Sequence, residues 1–251
     1  MTRIAVAGAT GRVGRHVVDV LSERGHDVVA ISRSNGVDVI TGDGLAAALE
    51  GVEVVIDTAT GPSPEQAAAT GFFTTATQNL ERAGTQAGVR KLVVVSIIGT
   101  DKYTAGYGAA KLAHERAALA GPIPARILRA AQFHEFVEVL MGWGRQGDVI
   151  YLPKMRTQIV AARTVAEALA DLALPTEPEP AGAAPAEIAG PREEYLPDLA
   201  KLLAANRGDP VTIEAVTNPA DPDDALNDNG GLLPGPHATL AGPTFAEWLG
   251  A

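Results

Sequence analysis

The sequence predicts an α/β protein whose core is a doubly wound parallel sheet, with a small C-terminal lobe beside it. Three observations support this. The chain opens with a short apolar run that breaks into three glycines spaced three apart and continues as a helical pattern. Short apolar runs then alternate with longer helical patterns through the first half, as in βαβ folds. After about residue 130 this alternation gives way to helices separated by longer loops.

The apolar runs are short and rich in β-branched residues, which favours buried parallel strands over buried helices. Strands are predicted at Ile4–Ala7, Asp27–Ile31, Val37–Ile40, Val52–Asp57, Lys91–Ser96 and Ala125–Leu128. Helices are predicted at Gly11–Glu23, Gly44–Leu49, Pro64–Ala87, Ala105–Ala120, Gln132–Trp143, Arg163–Leu172 and Glu193–Ala205. The Pro-rich and Asp/Asn-rich stretches Pro175–Pro185 and Asn218–Pro236 are predicted to be surface loops. No internal repeat is visible, so residues 1–251 are interpreted as one domain.

The opening segment is typical of a Rossmann-type dinucleotide site. Gly8 permits a sharp exit from the first strand because it has no Cβ. Gly11 lets the backbone approach a pyrophosphate, and Gly14 lets the helix pack closely on the strand. The free N–H groups and the dipole of the helix N-terminus then favour an anion. We therefore prefer a nucleotide site to the alternative, an ordinary β–α turn.

The end of the second strand indicates which nucleotide is bound. An acidic residue there would accept hydrogen bonds from the adenosine ribose and favour NAD. The sequence instead has Ser32, Arg33 and Ser34, and Arg33 can pair with a 2′-phosphate. Arg12 in the glycine turn adds a second positive charge, so we predict NADP(H). Asp43 is placed beside the adenine, with a helix N-cap role as the alternative.

Composition excludes several classes of protein. The chain has 20 basic and 30 acidic residues and a formal net charge of −10, which argues against a nucleic-acid partner. It has no cysteine, so disulfides, thiolate metal sites and a cysteine nucleophile are excluded. We predict no metal, because the histidines lack metal-ligand spacing. With no apolar run of membrane-spanning length and a strand at the N-terminus, we expect a cytoplasmic protein without a membrane partner.

A second chemical signal is the pair Tyr107 and Lys111. Positions four apart share a face of a helix, so a phenol and an ammonium can point into one cleft. An ammonium nearby would lower the pKa of the phenol, which suits a residue that protonates a carbonyl oxygen near neutral pH. The pair follows Ser96, at the end of the predicted fifth strand, by eleven residues. Tyr103, four residues earlier, is the competing tyrosine.

With these pieces the sequence resembles the short-chain dehydrogenase/reductase superfamily, specifically its atypical NmrA-like NAD(P)H-binding members. The resemblance runs over nearly the whole chain, with the loops after Leu174 matching least. The matching segments are 8–14, 94–99, 107–115, 128–133 and 244–249. The serine of typical members stands slightly further from the tyrosine, so a structural role for Ser96 stays open.

The resemblance implies a role for each matching residue. Tyr107 is the general acid, Lys111 binds the nicotinamide ribose while lowering the Tyr107 pKa, and Ser96 orients the substrate carbonyl beside the cofactor. The other cofactor-binding residues are Gly8, Thr10, Gly11, Arg12, Val13 and Gly14 at the pyrophosphate, Ser32 and Arg33 at the 2′-phosphate, Asp43, Thr58, Ala59 and Thr60 at the adenosine, and Ala130, Gln132 and Phe133 at the nicotinamide. A monomer is favoured over the dimer of typical members, with the oligomeric state otherwise open.

The predicted function is an NADPH-dependent oxidoreductase that transfers hydride to a carbonyl or a conjugated, quinone-like small molecule. Two alternatives stay open: an NADP-binding redox sensor without turnover, and a non-reductive epimerase or cyclase of a biosynthetic pathway. The substrate-side lobe is predicted to come mainly from residues 131–160 and 190–251. His134 is interpreted as a buried helix-start histidine, whereas His114 fits a site role and a solvent-side role equally well.

Overall fold

The structure is a computed structural model that describes residues 1–174 and 183–250. Its strands are β1 (Arg3–Ala7), β2 (Asp27–Ile31), β3 (Val54–Asp57), β4 (Lys91–Ile97), β5 (Ala125–Ala130), β6 (Arg145–Gln146), β7 (Val149–Pro153), β8 (Arg156–Thr157), β9 (Ala186–Ala189), β10 (Glu194–Tyr195), β11 (Thr212–Val216) and β12 (Thr239–Leu240). Seven of them form a parallel sheet in the order β12-β9-β5-β4-β3-β1-β2. The predicted fold class is confirmed.

Helices cover both faces of this sheet. They are α1 (Gly14–Glu23), α2 (Leu45–Ala48), α3 (Gln66–Ala87), α4 (Gly106–Ala120), α5 (Phe136–Gly144), α6 (Ala162–Ala173), α7 (Leu196–Arg207), α8 (Asp224–Asp228) and α9 (Phe245–Leu249). One apolar core joins α1 and α6 to the sheet, and a second core joins α2, α3 and α4 to the other face. The sheet is therefore buried on both sides, as its continuous apolar strands require.

The order in which strands are added to the sheet reverses at β1. This strand pairs with β2 on one side and with β3 on the other, so the loops that follow β1 and β3 separate at the carboxyl edge. Ligands of open α/β sheets bind in the crevice formed at such a point. The fold thus places the glycine turn after β1 and the residues after β3 at the same crevice.

The predicted strand Val37–Ile40 is wrong, because this segment is a turn outside the sheet. Asp38 closes the turn, since its Oδ1 accepts the Ile40 amide at 2.7 Å and its own amide donates to Asp43 O at 3.0 Å. The carbonyls of Val39 and Ile40, which a strand would use for pairing, accept the Asn79 side-chain amide at 2.9 and 2.8 Å. A long-range side-chain contact therefore replaces the predicted strand.

The C-terminal part of the chain forms a lobe with its own apolar core. The strands β6, β7 and β11 make one small sheet, and β8 pairs with β10. Between them pack side chains from α5, α7 and α9, including Val137, Leu199 and Phe245. Strand β12 lies within the range predicted for the lobe, but it pairs with β9 in the main sheet.

Two predicted loops have different outcomes. Residues 175–182 of the predicted loop Pro175–Pro185 lie outside the described residues. The predicted loop Asn218–Pro236 contains helix α8 and crosses back to α4, so it is an anchored segment. We call residues 218–236 the strap.

Candidate functional site

The glycine turn after β1 is closed by contacts that only glycine allows. Gly8 has φ +76°, and a Cβ there would lie 2.8 Å from the backbone of Ala59. A Cβ on Gly14 would lie 2.1 Å from Gly8 O, which is far inside van der Waals contact. A Cβ on Gly11 would meet the same oxygen at 3.0 Å. The three glycines therefore let β1, α1 and the loop after β3 approach each other.

This turn offers main-chain donors to a ligand. Among the described residues, the amides of Arg12 and Val13 have no protein acceptor, as expected at the first turn of a helix. Thr10 and the Arg12 side chain are exposed beside them. The free amides, the helix dipole and the guanidinium suit a pyrophosphate, so this segment fits the nucleotide that the sequence predicts.

The residues after β2 form a polar turn that begins at Ser32. The Ser32 and Ser34 hydroxyls lie 2.8 Å apart, and Arg33 is exposed at the start of a 3₁₀ turn. Their position at the carboxyl edge next to the glycine turn agrees with the predicted 2′-phosphate role. Asp43 is exposed, and its Oδ2 accepts the Thr41 hydroxyl at 2.8 Å. It does not cap α2, whose N-cap is Gly44 without a side-chain hydrogen bond.

The loop after β3 connects the glycine turn to α4. Thr58 Oγ1 donates to Ala7 O at 2.7 Å, which ties the loop to β1. Asp57 Oδ1 accepts the Ala59 amide at 2.9 Å, which fixes the start of the loop. Thr60 is exposed and its Oγ1 lies 3.1 Å from Tyr107 Oη. The loop thus touches both of the segments that the sequence assigns to cofactor and chemistry.

An apolar cavity opens next to this loop. Its volume is about 390 Å³, and its lining includes Ile40, Pro62, Phe72 and Thr75. The turn at Ile40 and the helix α3 form its two walls. Its position outside the carboxyl ends of β2 and β3 is where the adenosine half of a dinucleotide binds in this fold.

Tyr107 lies in the first turn of α4, and that turn is anchored from two directions. Asp223 of the strap accepts the amides of Thr104 and Ala105 at 2.7 and 2.8 Å, and Gln66 of α3 accepts the amide of Gly106 at 2.9 Å. Burial acts to raise the pKa of Asp223, but the hydrogen bonds from Thr104 and Ala105 outweigh it and lower that pKa. A buried carboxylate therefore fixes the helix start from which Tyr107 projects.

The predicted lowering of the Tyr107 pKa is wrong in this structure. Burial raises the pKa of the phenol above its usual value, and the hydrogen bond with Thr60 opposes this only in part. The Lys111 ammonium contacts Val95 O and His114 Nδ1 and makes no hydrogen bond with the phenol. Tyr107 is therefore a protonated phenol at neutral pH.

Lys111 is 5% exposed and its ammonium is bound inside the protein. Its Nζ donates to Val95 O at 2.7 Å and lies 2.8 Å from Nδ1 of His114. It also lies 4.5 Å from the centroid of the Phe73 ring, a cation–π distance. Burial lowers the pKa of Lys111 to about 8, while the charge of Asp57 opposes the shift. Two of the three N–H donors of the ammonium are thus directed at Val95 O and His114 Nδ1.

Ser96 is buried on β4, and its Oγ has no hydrogen-bond partner within the described residues. Because this hydroxyl is buried, a substrate carbonyl can reach Ser96 only if a neighbouring side chain moves. Beyond β5, Gln132 Oε1 accepts the Thr157 hydroxyl at 2.5 Å, and Phe133 forms a bridge with Val160. Ala130 is buried at the end of β5. These three residues lie in sequence where the nicotinamide is predicted, and their roles stay predictions.

His134 and Tyr103 have structural partners. The His134 ring is 1% exposed between Phe245 and Trp248, and its Nε2 lies 3.2 Å from Ile159 O. Burial lowers the pKa of His134 to about 4, with the Ile159 hydrogen bond opposing. Tyr103 Oη donates to Asn227 Oδ1 of the strap at 3.1 Å, and burial raises the pKa of this phenol. The His134 ring is therefore neutral at neutral pH, and the Tyr103 hydroxyl is directed at the strap.

Several residues of the site were missed by the sequence analysis. Asp57, Phe73 and Asp223 were not singled out, and the solvent-side alternative for His114 is wrong because this ring is 1% exposed. A local signal existed for His114, since it lies three residues after Lys111 on the same helix face. No local signal existed for Asp223, which is 119 residues from its partner Thr104.

The described residues contain no group of three or more metal-ligating side chains. Within the same residues, no helix is long and apolar enough to cross a membrane. The site is therefore a glycine turn with free amides, a polar turn after β2 and a buried tyrosine helix at one crevice. These features define a nicotinamide-nucleotide-binding protein of the Rossmann type.

Comparisons with known proteins agree with this class. Residues 8–120 match the model of a family described as NAD(P)H-binding. This segment, which contains both the glycine turn and α4, is thus an NAD(P)H-binding domain. The resemblance predicted from the sequence is confirmed for this domain.

One curated relative is the photosystem II assembly factor Ycf39 of Synechocystis sp. strain ATCC 27184/PCC 6803/Kazusa. It is 30% identical over an alignment of 115 residues, with a coverage of 40% of this chain and 35% of that protein. The chain therefore matches about a third of the length of this relative.

Solved structures share the fold. A short-chain dehydrogenase/reductase superfamily protein from Agrobacterium tumefaciens with bound NAD has a TM-score of 0.69 at 19% identity, over 99% of this chain and 95% of that one. The UDP-glucose 4-epimerase of Thermus thermophilus in complex with NAD has a TM-score of 0.69 at 17% identity, over 99% and 93%. WbmH of Bordetella bronchiseptica with NAD⁺ reaches 0.72 at 15% identity, over 99% and 96%.

Proposed function

We propose that this protein is an NADPH-dependent reductase that acts on a carbonyl or quinone-like small molecule. The observation that carries the proposal is the position of Tyr107, whose hydroxyl lies 3.1 Å from Thr60 in the loop between the glycine turn and α4. A proton donor therefore stands beside the predicted nucleotide crevice. Bound NADPH supplies a hydride, and Tyr107 supplies the proton for the oxygen of the reduced carbonyl.

The protonation state of Tyr107 suits the role of a general acid. A general acid must carry its proton at the working pH, and burial raises the pKa of this phenol. Thr60 lies within hydrogen-bond distance of the phenol and orients it, while the anchored first turn of α4 holds the ring in place.

The nucleotide is proposed to be NADPH, with Arg33 and Ser32 at the 2′-phosphate and the amides of Arg12 and Val13 at the pyrophosphate. The exposed guanidinium of Arg33 is free to form charge-assisted hydrogen bonds with a phosphate. Lys111 contributes its remaining N–H to a ribose hydroxyl. No acidic side chain is found in the turn 32–35 to select NAD.

The test is turnover of NADPH with a panel of aldehydes, ketones and quinones. Tyr107→Phe is expected to lower kcat by about 10²–10⁴-fold and to leave the Kd for NADPH unchanged. The matched control is Tyr103→Phe, which removes the competing hydroxyl and leaves the proposed acid in place. Full turnover in Tyr107→Phe would overturn the assignment of the acid.

The cofactor preference is tested by titration with NADPH and NADH. Arg33→Ala is expected to weaken NADPH binding by about tenfold or more and to change NADH binding little, because only NADPH carries the 2′-phosphate. Arg24→Ala, on an exposed arginine at the end of α1 that pairs with Asp171, serves as the control. Equal losses for the two nucleotides would contradict the 2′-phosphate contact.

A second candidate is an NADP-binding protein without turnover. Two observations favour it: the Lys111 ammonium is bound to Val95 and His114, and the hydroxyl of Ser96 is buried. The partial similarity to a photosystem II assembly factor agrees with a binding role. Tight NADPH binding without consumption over the whole panel would favour this candidate, and steady consumption would exclude it.

A further inference from the structure

His114 lies between two buried charged side chains. Its Nδ1 is 2.8 Å from the Lys111 Nζ, and its Nε2 is 3.1 Å from Asp57 Oδ2. The ring stacks on Phe73 with centroids 4.6 Å apart and an angle of 9° between the planes. His114, Lys111 and Asp57 are each 5% exposed or less. We call these three residues the buried triad.

The neighbours fix the tautomer of the histidine. An ammonium can only donate, so Nδ1 must accept from Lys111, and a carboxylate can only accept, so Nε2 must carry the hydrogen. The neutral ring satisfies both partners at once. Burial lowers the pKa of His114, and the Lys111 charge adds to this, while Asp57 and then Glu115 oppose it. A protonated ring would lose the Nδ1 acceptor and face the ammonium directly.

The triad is connected to the loop after β3. The second oxygen of Asp57 accepts the Ala59 amide, and Thr60 contacts Tyr107 one residue further on. The loop 57–60 is thus tied to α4 at two positions, one at each end, through His114 and through Tyr107. The same loop packs on the glycine turn, since a Cβ on Gly8 would meet the Ala59 backbone at 2.8 Å.

We propose that His114 is a positioning residue for the nucleotide site. In its neutral form, the His114 ring holds Lys111 at the base of the crevice through Nδ1. Through Nε2 it holds Asp57 against α4, and the loop 58–60 is held together with Asp57. This inference rests on the proposed nucleotide site in the same crevice. It predicts that protonation of one buried ring weakens nucleotide binding, because both ties through His114 depend on the neutral ring.

The experiment uses the whole protein and NADP⁺, which tolerates acid, in a series of Kd measurements from about pH 7 to about pH 5, where Lys111, with its pKa of about 8, keeps its charge. His114→Phe keeps the stacking on Phe73 and removes both ring nitrogens. It is expected to raise the Kd at about pH 7 by about tenfold, as expected for the loss of hydrogen bonds to charged groups. Because burial and the Lys111 charge lower the pKa of His114, the Kd of the wild type should rise more steeply than that of the variant only toward the acid end of the series, below the usual histidine value of about 6.5.

Because the 2′-phosphate itself titrates near pH 6, as phosphate monoesters do, and does so in both proteins, the difference between the two curves reports the histidine. His237→Gln, which changes an exposed histidine, is the control and should follow the wild type. Parallel curves, or an unchanged Kd at the upper end of the pH series, would overturn the positioning role.

A double-mutant cycle separates positioning from packing. If His114 acts through Lys111, His114→Phe with Lys111→Met should bind NADP⁺ no more weakly than the weaker single variant. Additive losses of NADP⁺ binding free energy would show that His114 and Lys111 act independently, and would contradict the inference. If His114→Phe does not fold, His114→Gln takes its place in the cycle, and ¹⁵N shifts of the wild-type ring give the tautomer. A protonated Nδ1 in the nucleotide-free protein would also contradict it.

The two proposals fail in different ways. A wild-type protein that binds no NADP⁺ would overturn the nucleotide site, and the inference with it. A wild-type protein that binds NADP⁺ with the same affinity and pH profile as His114→Phe would overturn the inference alone.

Discussion

The two halves of the carboxyl edge of the sheet are built by different means. On the β1 side, three glycines within seven residues bring backbone against backbone, and a Cβ on Gly14 would lie 2.1 Å from Gly8 O. On the β4–β5 side, side chains far apart in sequence hold the first turn of α4, with Asp223 119 residues from Thr104. The first half tolerates no added atom, whereas the second depends on hydrogen bonds that can be removed one at a time.

This difference predicts how each half responds to substitution. The glycine half should lose its function as a whole when one Cβ is added. The α4 half should weaken in steps, because each tie contributes a separate hydrogen bond. Substitutions and a pH series in the two halves test this contrast, from the largest expected effect to the smallest.

Gly14→Ala should have the largest effect. The added methyl group overlaps Gly8 O and the Thr58 hydroxyl, so β1 and α1 must separate. We expect a loss of about 3 kcal/mol of unfolding free energy, the upper end for overpacking, and a loss of NADPH binding. Gly142→Ala on α5 is the matched control, since nothing lies within 4 Å of its Cβ position. It should stabilise the protein by about 0.5–1 kcal/mol. Equal unfolding free energies and equal NADPH affinities in the two variants would contradict the close approach of Gly14 to Gly8 O.

Acid should lower the free energy of unfolding through His134, which lies after β5. Its folded pKa is lowered from the usual value of 6.5 to about 4, so the unfolded chain binds the proton first as the pH falls. Its contribution is complete above about pH 6.5 and decreases toward about pH 4 by at most about 1.4 kcal/mol per pH unit. Urea unfolding at several pH values measures this slope. In His134→Gln, the unfolding free energy should depend less steeply on pH. An unchanged slope would mean that other groups cause the acid sensitivity.

Asp223→Ala removes the carboxylate that accepts the Thr104 and Ala105 amides. We expect a loss of about 2 kcal/mol in unfolding free energy, because two partly buried amides lose a charged acceptor. For the proposed reductase activity, kcat should fall while the Kd for NADPH changes little, since the glycine half is untouched. Asp228→Ala, an exposed aspartate of the same strap, should stay within about 0.5 kcal/mol of the wild type. A large change in the Kd for NADPH would show that the two halves are coupled through the strap.

Gln66→Ala should have the smallest effect. It removes one neutral hydrogen bond to Gly106 at an exposed position, which contributes about 0.5–1 kcal/mol. Gln78→Ala, on an exposed glutamine of the same helix, is the control. Thermal unfolding of both variants measures the difference. A loss larger than that of Asp223→Ala would mean that α3, and not the strap, is the main anchor of α4.

The sequence predicted the first half of the edge better than the second, for a physical reason. The strands β1, β2 and β4 and the helices α1 and α4 follow from local periodicity, and the glycine spacing defines a turn within one βα unit. The turn at 37–40 was predicted as a strand because its apolar residues look like one. Its carbonyls are taken by Asn79, about forty residues away, which no local pattern reveals.

The chemistry of the pair Tyr107 and Lys111 shows the same limit. Their spacing predicted correctly that both lie on α4, but not that Lys111 would bind inward. That orientation depends on Val95, Phe73 and His114, which come from three different elements. The direction of the Tyr107 pKa shift therefore depended on tertiary contacts that the sequence pattern does not contain.

The strap has a consequence for the order in which the protein is made. Synthesis runs from the N-terminus, and segments near it can fold while later ones are still being added. The glycine turn and its partner loop are complete by residue 60, whereas the Thr104 and Ala105 amides receive their acceptor only when residue 223 has left the ribosome. A nascent chain would thus present a formed glycine turn well before the first turn of α4 is anchored.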